Sequence, residues 1–339
     1  MQLRTAALAL AAAVFVLSHG VVVAAPGEPT EPTPTGPKPT PGTQDNFDPV
    51  YNVCRGTDPR CYHPWDRTRD NKVLLYTRTA GPRHANIQPA LGPGLNPALS
   101  PTQNVAQRAI VQWMGEVGVG VDWTEDVTTL AGELGPSSDY KAVIFLSTSR
   151  DALWAHGTAV VPTSAVNTTT NAHLDRGKTA LRQFIRSGGG FVGIHNALGT
   201  EYNWPWYEGL LGNTNYYNHG QFQDGIVKII AQDSSTSGLG NFAFRDEWYN
   251  LVPFPTEVKY IATVDENSLA TLSSTHPGHG KLHPVVWCQY YDGGRSWVTS
   301  LGHAAEAFTD GSGFPGQQQF KKLIVNGILS AMGNIPFCQ

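Results

Sequence analysis

Apolar residues in this chain gather into short, nearly unbroken runs separated by glycine-rich and polar stretches. Lys72 to Thr77 (Lys-Val-Leu-Leu-Tyr-Thr), Ala142 to Leu146 and Phe191 to Ile194 are such runs, and Val119 to Trp123 (Val-Gly-Val-Asp-Trp) reads as a further strand. Such runs read as strands buried on both faces, as parallel strands are. Between them the period changes. Ser100 reads as a helix N-cap, with Pro101 at the first helical position and Gln103 completing a capping box; Val105, Ala109, Val111 or Gln112, and Met114 supply the apolar stripe. A second helix is predicted from Asn171 to Ser187, with Leu174, Leu181, Phe184 and Ile185 on one face. Three glycines, 188 to 190, then turn the chain into the fourth strand. Strands alternating with helices predict parallel pairing through right-handed crossovers.

Beyond residue 200 the rhythm is different. Asn203-Trp-Pro-Trp-Tyr-Glu208 begins a short aromatic helix ending at Gly212, followed by Asn215-Tyr-Tyr-Asn-His219. Strands are predicted around Ile226 to Ala231, Val258 to Val264 and Val285 to Tyr291. Asp292-Gly-Gly294 is a hairpin signal; its second strand, Ser296 to Leu301, ends at Gly302-His303, and a last helix runs from about Gly316 to Met332. The fold expected is a flavodoxin-like, doubly wound, mostly parallel α/β sheet with helices on both faces and an aromatic-rich insertion.

The N-terminus is set apart by composition. Residues 1–25 carry Arg4, an apolar run from Ala6 to Leu17 and a small-residue Val-Ala-Ala site, the pattern of a secretory signal peptide. The run is too short for a membrane span. Residues 26–45 are Pro/Thr/Gly-rich and are expected to form a disordered leader. The α/β domain is then residues 46–339. With 23 Lys+Arg against 27 Asp+Glu, a net charge of −4, the chain has no basic character to attract a nucleic acid. It is expected to be secreted, with no membrane partner.

Export bears on the cysteines. Four of them in an oxidising compartment favour two disulfides. Cys54 and Cys61 flank a Gly-Thr-Asp-Pro turn and are paired here, which pairs Cys288 with Cys338; two other connectivities remain open. Asn167-Thr-Thr169 is a glycosylation sequon.

No Gly-x-Ser-x-Gly elbow, phosphate loop or dinucleotide fingerprint occurs. Instead, histidines recur at strand ends: His84 after the first strand, His195 after the fourth, His303 after the last. Neighbouring parallel strands bring such ends to one edge, where α/β sheets bind ligands. Imidazole suits both proton transfer and metal ligation, so His84, His195 and His303 are candidate catalytic groups and candidate ligands for one divalent ion. Glu247, in Asp-Glu-Trp-Tyr, is the carboxylate expected to join them. His276-Pro-Gly-His279 with His283 also has ligand-like spacing but lies in a Gly/Pro loop that reads as solvated. Trp204, Trp206, Tyr207, Tyr216 and Tyr217 could stack on sugar rings, although packing beneath the insertion accounts for most of them. Arg78, Tyr202, Trp204, Tyr207, His219 and Tyr249 are the expected substrate-binding residues.

Val-Leu-Leu-Tyr-Thr-Arg-Thr-Ala-Gly-Pro-Arg-His, Gly-Gly-Gly-Phe-Val-Gly-Ile-His-Asn-Ala, Asp-Glu-Trp-Tyr and Gly-Gly-Arg-Ser-Trp-Val-Thr-Ser-Leu-Gly-His together resemble the ThuA-like (trehalose-utilisation) family over about Lys72 to Gly333. The resemblance implies a class I glutamine amidotransferase-like sheet and an association with sugar catabolism. In that superfamily the elbow after Gly-Ile holds a cysteine; here it holds His195, so amidotransferase chemistry is not implied. Ala231 to Leu239 departs from the family's usual turn. The function expected is a secreted enzyme that cleaves a glycan or glycoside, as hydrolase or lyase, by His/Glu acid–base chemistry. The competing expectation is a non-catalytic extracellular carbohydrate-binding protein.

Overall fold

The computed structural model describes residues 47–48, 52–64, 68–154 and 176–339, all within the compact unit Thr43–Gln339. The signal segment, the leader, the Asn167 sequon and the first residues of the helix predicted from Asn171 lie outside the described residues.

The predicted strands form the parallel half of the sheet, with Gly120–Thr124 at its edge. Strands β3 (Lys72–Tyr76), β4 (Gly120–Thr124), β5 (Ala142–Leu146), β6 (Gly190–Ile194) and β11 (Gly294–Thr299) lie side by side, all parallel, in the order β4-β3-β5-β6-β11. Numbered among themselves along the chain, they run 2-1-3-4-5, the flavodoxin-like order. Alternate residues of each strand enter different cores, as the period of two requires. Val73, Leu75, Ile144 and Val192 pack with helices α1 (Val105–Glu116) and α5 (Gln317–Met332). Leu74, Tyr76, Phe145 and Phe191 pack with α2 (Val127–Glu133) and α3 (Arg176–Arg186). Gly190 shows how close this packing is: a Cβ there would stand 2.3 Å from the Ala331 carbonyl oxygen of α5.

An antiparallel extension continues the sheet. β10 (His283–Tyr291) pairs with β11 through the Asp292-Gly-Gly turn, and β9 (Lys259–Val264), β7 (Tyr216–Ile229) and β8 (Phe242–Leu251) follow in that order. β2 (Val53–Gly56) adds to the far end of β10 and carries β1 (Phe47–Asp48). The sheet is therefore mixed, and helix α4 (Pro205–Leu210) leads from the parallel half into the extension.

Three local expectations are corrected. Helix α1 starts at Val105, not after Ser100. Asn104 stands at its cap in a left-handed conformation (φ 50°) and donates its amide to the carbonyls of Ile87 and Pro89, at 3.2 and 2.8 Å. Ser100 Oγ only closes a turn on the Gln103 amide, at 3.2 Å. Tertiary bonds to the 84–91 loop thus decide the boundary. β7 begins ten residues before Ile226, at Tyr216, because its first part is half-exposed and polar. The short helix α2, capped by Asp126 on the Thr128 amide at 2.8 Å, was not foreseen.

Both disulfides form as paired, Cys54–Cys61 and Cys288–Cys338, and no free cysteine remains. Among the described residues no helix is long and apolar enough to cross a membrane.

Candidate functional site

The loop after β3 is fixed by a buried ion pair. Arg83 binds Glu125 at 2.6 Å, and that carboxylate also accepts from the Thr77 hydroxyl, at 2.7 Å, and the Leu91 amide, at 3.1 Å. His84, the next residue, is thereby held over the carboxyl end of the sheet. His195 follows β6 directly and takes φ 54°, an uncommon conformation for a residue bearing a Cβ. This is the sharp strand-to-turn elbow expected of the Gly-Ile-His-Asn stretch. His303 follows β11 through Gly302, whose φ of 126° only glycine adopts readily.

The three imidazoles meet. Ring centroids of His84 and His195 are 4.6 Å apart, of His84 and His303 5.3 Å, and of His195 and His303 5.4 Å. Glu247 reaches in from β8, with Oε2 at 3.0 Å from His303 Nδ1 and 3.6 Å from His219 Nε2. One potential ligand atom from each of His84, His195, Glu247 and His303 lies within 4.8 Å of the others, and no other such group occurs among the described residues.

His195 is fully buried. Its Nδ1 lies 2.9 Å from the Ser300 carbonyl; since a carbonyl only accepts, Nδ1 carries the proton. Nε2 therefore accepts from the Tyr249 hydroxyl, at 2.9 Å. Burial, and then the neighbouring imidazoles, hold its pKa well below the ordinary value. Burial and His303 likewise bring His84 down to about 4, and His84 Nδ1 has no hydrogen-bond partner. Two neutral imidazoles, one with its far nitrogen oriented by a carbonyl and one with a buried orphan nitrogen, beside a carboxylate, form a donor set that fits a first-row transition ion. Burial opposes charge on both partners of the His303–Glu247 pair, yet their contact outweighs it. Glu247 is held below the usual carboxylate value and His303 above that of free imidazole.

The depressed histidines predict acid sensitivity. In folded protein His84 takes up its proton only near pH 4, whereas in the unfolded chain it does so near 6.5. Stability is then complete above 6.5 and is lost as pH falls toward 4, on the order of 3 kcal/mol for this residue. In chelator-treated protein the urea midpoint should fall across that window, and His84→Gln should flatten the fall. A midpoint in wild type that did not move between pH 6.5 and 4.5 would contradict this.

The sequence missed Asp246. It is wholly buried, and its carboxylate accepts from the amides of Gly302 (2.7 Å), Glu247 (2.8 Å) and His303 (3.3 Å). Burial raises its pKa to about 7 even against those bonds. Asp246 ties β8 to the loop after β11 and so sets Glu247 against His303. The signal was present: on the alternating strand, Asp246 occupies the inward series of Phe242, Phe244 and Trp248.

The expected substrate-binding residues divide. Tyr202, His219 and Tyr249 line a cavity of about 250 Å³ together with His84 and Glu247, and with Arg150 and Asn196, which the sequence reading did not single out. Arg78, Trp204 and Tyr207 lie elsewhere. Arg78 donates to the Ala152 carbonyl at 2.6 Å. Tyr207 is enclosed, with its hydroxyl on the Ala197 carbonyl at 3.0 Å. Trp204 stacks on Trp206 at 4.8 Å and lies under Lys178. All three are packing residues: Arg78 is tied to backbone carbonyls, α4 turns the Tyr207 ring into the core, and Trp204, at the cap of α4, packs against that core. Tyr216 does border the cavity, while Tyr217 stands exposed beside His276.

The second histidine group is structural. His283 bridges Glu266 Oε1 (2.7 Å) and the Tyr249 carbonyl (2.9 Å), His279 Nε2 accepts the Leu251 amide (3.0 Å), and His276 Nδ1 accepts the Gly278 amide (3.1 Å). It props up the strand that presents Tyr249.

Sheet order, elbow and strand-end cluster define a flavodoxin-like α/β protein with a histidine–carboxylate site at the carboxyl edge of its parallel strands. A family profile described as ThuA, trehalose utilisation, matches residues 72–331, and the chain belongs to the ThuA family. Among solved structures it is similar to a ThuA-like protein from Bacteroides uniformis (19% identity, TM-score 0.51, 78% of this chain and 93% of that one). It is also similar to a ThuA-like protein from Parabacteroides merdae (16% identity, TM-score 0.51, 78% and 90%). At these identities the likeness is one of fold. No curated protein matches the chain.

Proposed function

We propose that this protein is an exported carbohydrate-active enzyme that cleaves the glycosidic linkage of a small sugar or of a terminal residue, by hydrolysis or elimination. The observation that carries the reading is the convergence of His84, His195, His303 and Glu247 at the edge where such sheets bind ligands. The family's description, trehalose utilisation, points to sugars. The cavity, at about 250 Å³, is below the roughly 300–1,000 Å³ of sites for larger ligands. Two disulfides and the apolar N-terminal run support export.

Glycosidases of the usual kind need two carboxylates facing the bond. Here Glu247 alone lines the cavity, since Asp246 is sealed behind it with both oxygens on amides. Glu247 is thus the group that takes or returns the proton, and His303 keeps it ionised between steps. His84, His195 and His303 would hold one divalent ion, which supplies Lewis acidity toward a sugar oxygen when bound. The Ser300 carbonyl orients His195, whose Nε2 would exchange the Tyr249 hydroxyl for the ion, and Tyr202 and Tyr216 offer ring faces beside it.

The test is metal analysis of the purified mature chain together with a glycoside panel. One transition-ion equivalent per chain is expected, with cleavage abolished by chelation and restored by that ion. Cleavage that persists in ion-free protein would remove the metal from the proposal. Glycans bound but returned unaltered across the panel would make the protein a binding module.

A further inference from the structure

Arg150 is the cavity's one arginine, and its backbone is unusual. It takes φ 56° four residues beyond the end of β5, in a left-handed region where a side chain costs on the order of 1 kcal/mol and glycine costs nothing. The amide and carbonyl are both used, on the Gly199 carbonyl and the Glu201 amide, each at 2.9 Å, which locks the residue at the cavity edge. The side chain has a seat. A Cβ at Gly81 would stand 2.3 Å from Arg150 Cγ and 3.4 Å from Cδ, so the aliphatic stem occupies the space that glycine leaves open. Its guanidinium carbon lies 5.7 Å from the Tyr202 ring centroid.

What the guanidinium lacks among the described residues is a counter-ion. Among the described residues it makes no ion pair and no side-chain hydrogen bond, whereas Arg83 is spent on Glu125 and Arg78 on backbone carbonyls. The cavity's one carboxylate, Glu247, is already matched by His303 and His219. A divalent ion on the histidines would leave the cavity more positive still. The Arg150 side chain is exposed where it borders the cavity, so it is free to meet an anionic group of a ligand there, and its planar fork fits a carboxylate in two-point fashion.

We propose that Arg150 is the specificity-determining residue for an acidic sugar, holding the carboxylate of a uronic-acid residue in the cavity. This rests on the carbohydrate reading of the site and goes further by naming the charge of the substrate. Tyr202 supports the guanidinium from below through its π face, leaving the N–H edge free for the ligand.

The experiment is binding calorimetry on the full mature chain with its ion in place. The probes are the methyl glycosides of D-glucuronate and D-galacturonate against their matched neutral glucosides and galactosides, with a 6-sulfated galactoside as a third arm. Wild type should prefer at least one uronide over its neutral partner by about tenfold or more. Arg150→Gln should bring that ratio close to one, Arg150→Lys should keep part of it, and Gly81→Ala, which pushes the stem aside, should lower it as Arg150→Gln does. Melting temperatures recorded alongside separate these effects from unfolding. Equal or stronger binding of the neutral glycosides would overturn the assignment while leaving the carbohydrate reading intact. Preference for the sulfated arm would overturn the carboxylate. Failure of every glycoside to bind would remove both.

Discussion

Glu247→Gln should lower turnover of any glycoside that the wild type cleaves by about 10²–10⁴-fold while the melting temperature stays unchanged. The substitution keeps the size and most of the hydrogen bonding of the side chain and removes only its charge. That charge sits 3.0 Å from His303 and is the cavity's one proton acceptor of its kind. His195→Ala should be equally inactive but for mixed reasons. Its imidazole is fully enclosed rather than sitting openly on a turn, so removal leaves the Ser300 carbonyl and the Tyr249 hydroxyl without partners. An unsatisfied buried group costs on the order of 1–3 kcal/mol, and that variant must be compared at matched folded fraction. Full activity in Glu247→Gln would sink the acid–base assignment outright.

The second large effect is on stability. Replacing Cys288 and Cys338 together by serine should cost about 4 kcal/mol, because that bridge closes a separation of 50 residues. The Cys54–Cys61 bridge spans 7, and its removal should cost about 2 kcal/mol in the same entropic account. Both figures are read from guanidinium unfolding of oxidised wild type against each double variant. An equal or smaller loss for the longer loop would show that native strain or residual structure in the unfolded chain, rather than loop entropy, sets the contribution.

How legible these features were in the sequence depended on burial. The inner parallel strands could be read because both faces are covered: β5, Ala-Val-Ile-Phe-Leu, is buried at every position, whereas the edge strand β4 is mostly half-exposed. The histidines could be read as a cluster because strand ends in a parallel sheet share an edge, whatever the loops do. β7 hid itself because a strand of Tyr-Tyr-Asn-His-Gly-Gln-Phe-Gln-Asp with mostly half-exposed side chains has no apolar alternation to detect. The aromatic insertion misled in the opposite sense. Tryptophan and tyrosine serve a sugar platform or a core equally well by composition, and only the direction in which α4 presents Trp206 and Tyr207, inward, separates the two. Arg78 and Arg150 make the same point for charge. Arg78, after β3, ends on backbone carbonyls and Arg150 borders the cavity, a difference that residue type alone does not carry.

The site also joins two halves of the sheet whose strands pair with one another only through β10 and β11. His84 and His195 are delivered by parallel strands, Glu247 and Tyr249 by the antiparallel extension, so neither half alone can build it. Assembly is therefore a matter of timing in the folding reaction. Closing contacts between segments so far apart in sequence carries a loop-entropy penalty that local pairing does not, which places the site among the last features to form. Each half can carry native-like strands while the chain still holds separated histidines. If an ion occupies the site, it is then selected by the closed sheet rather than by the separated histidines.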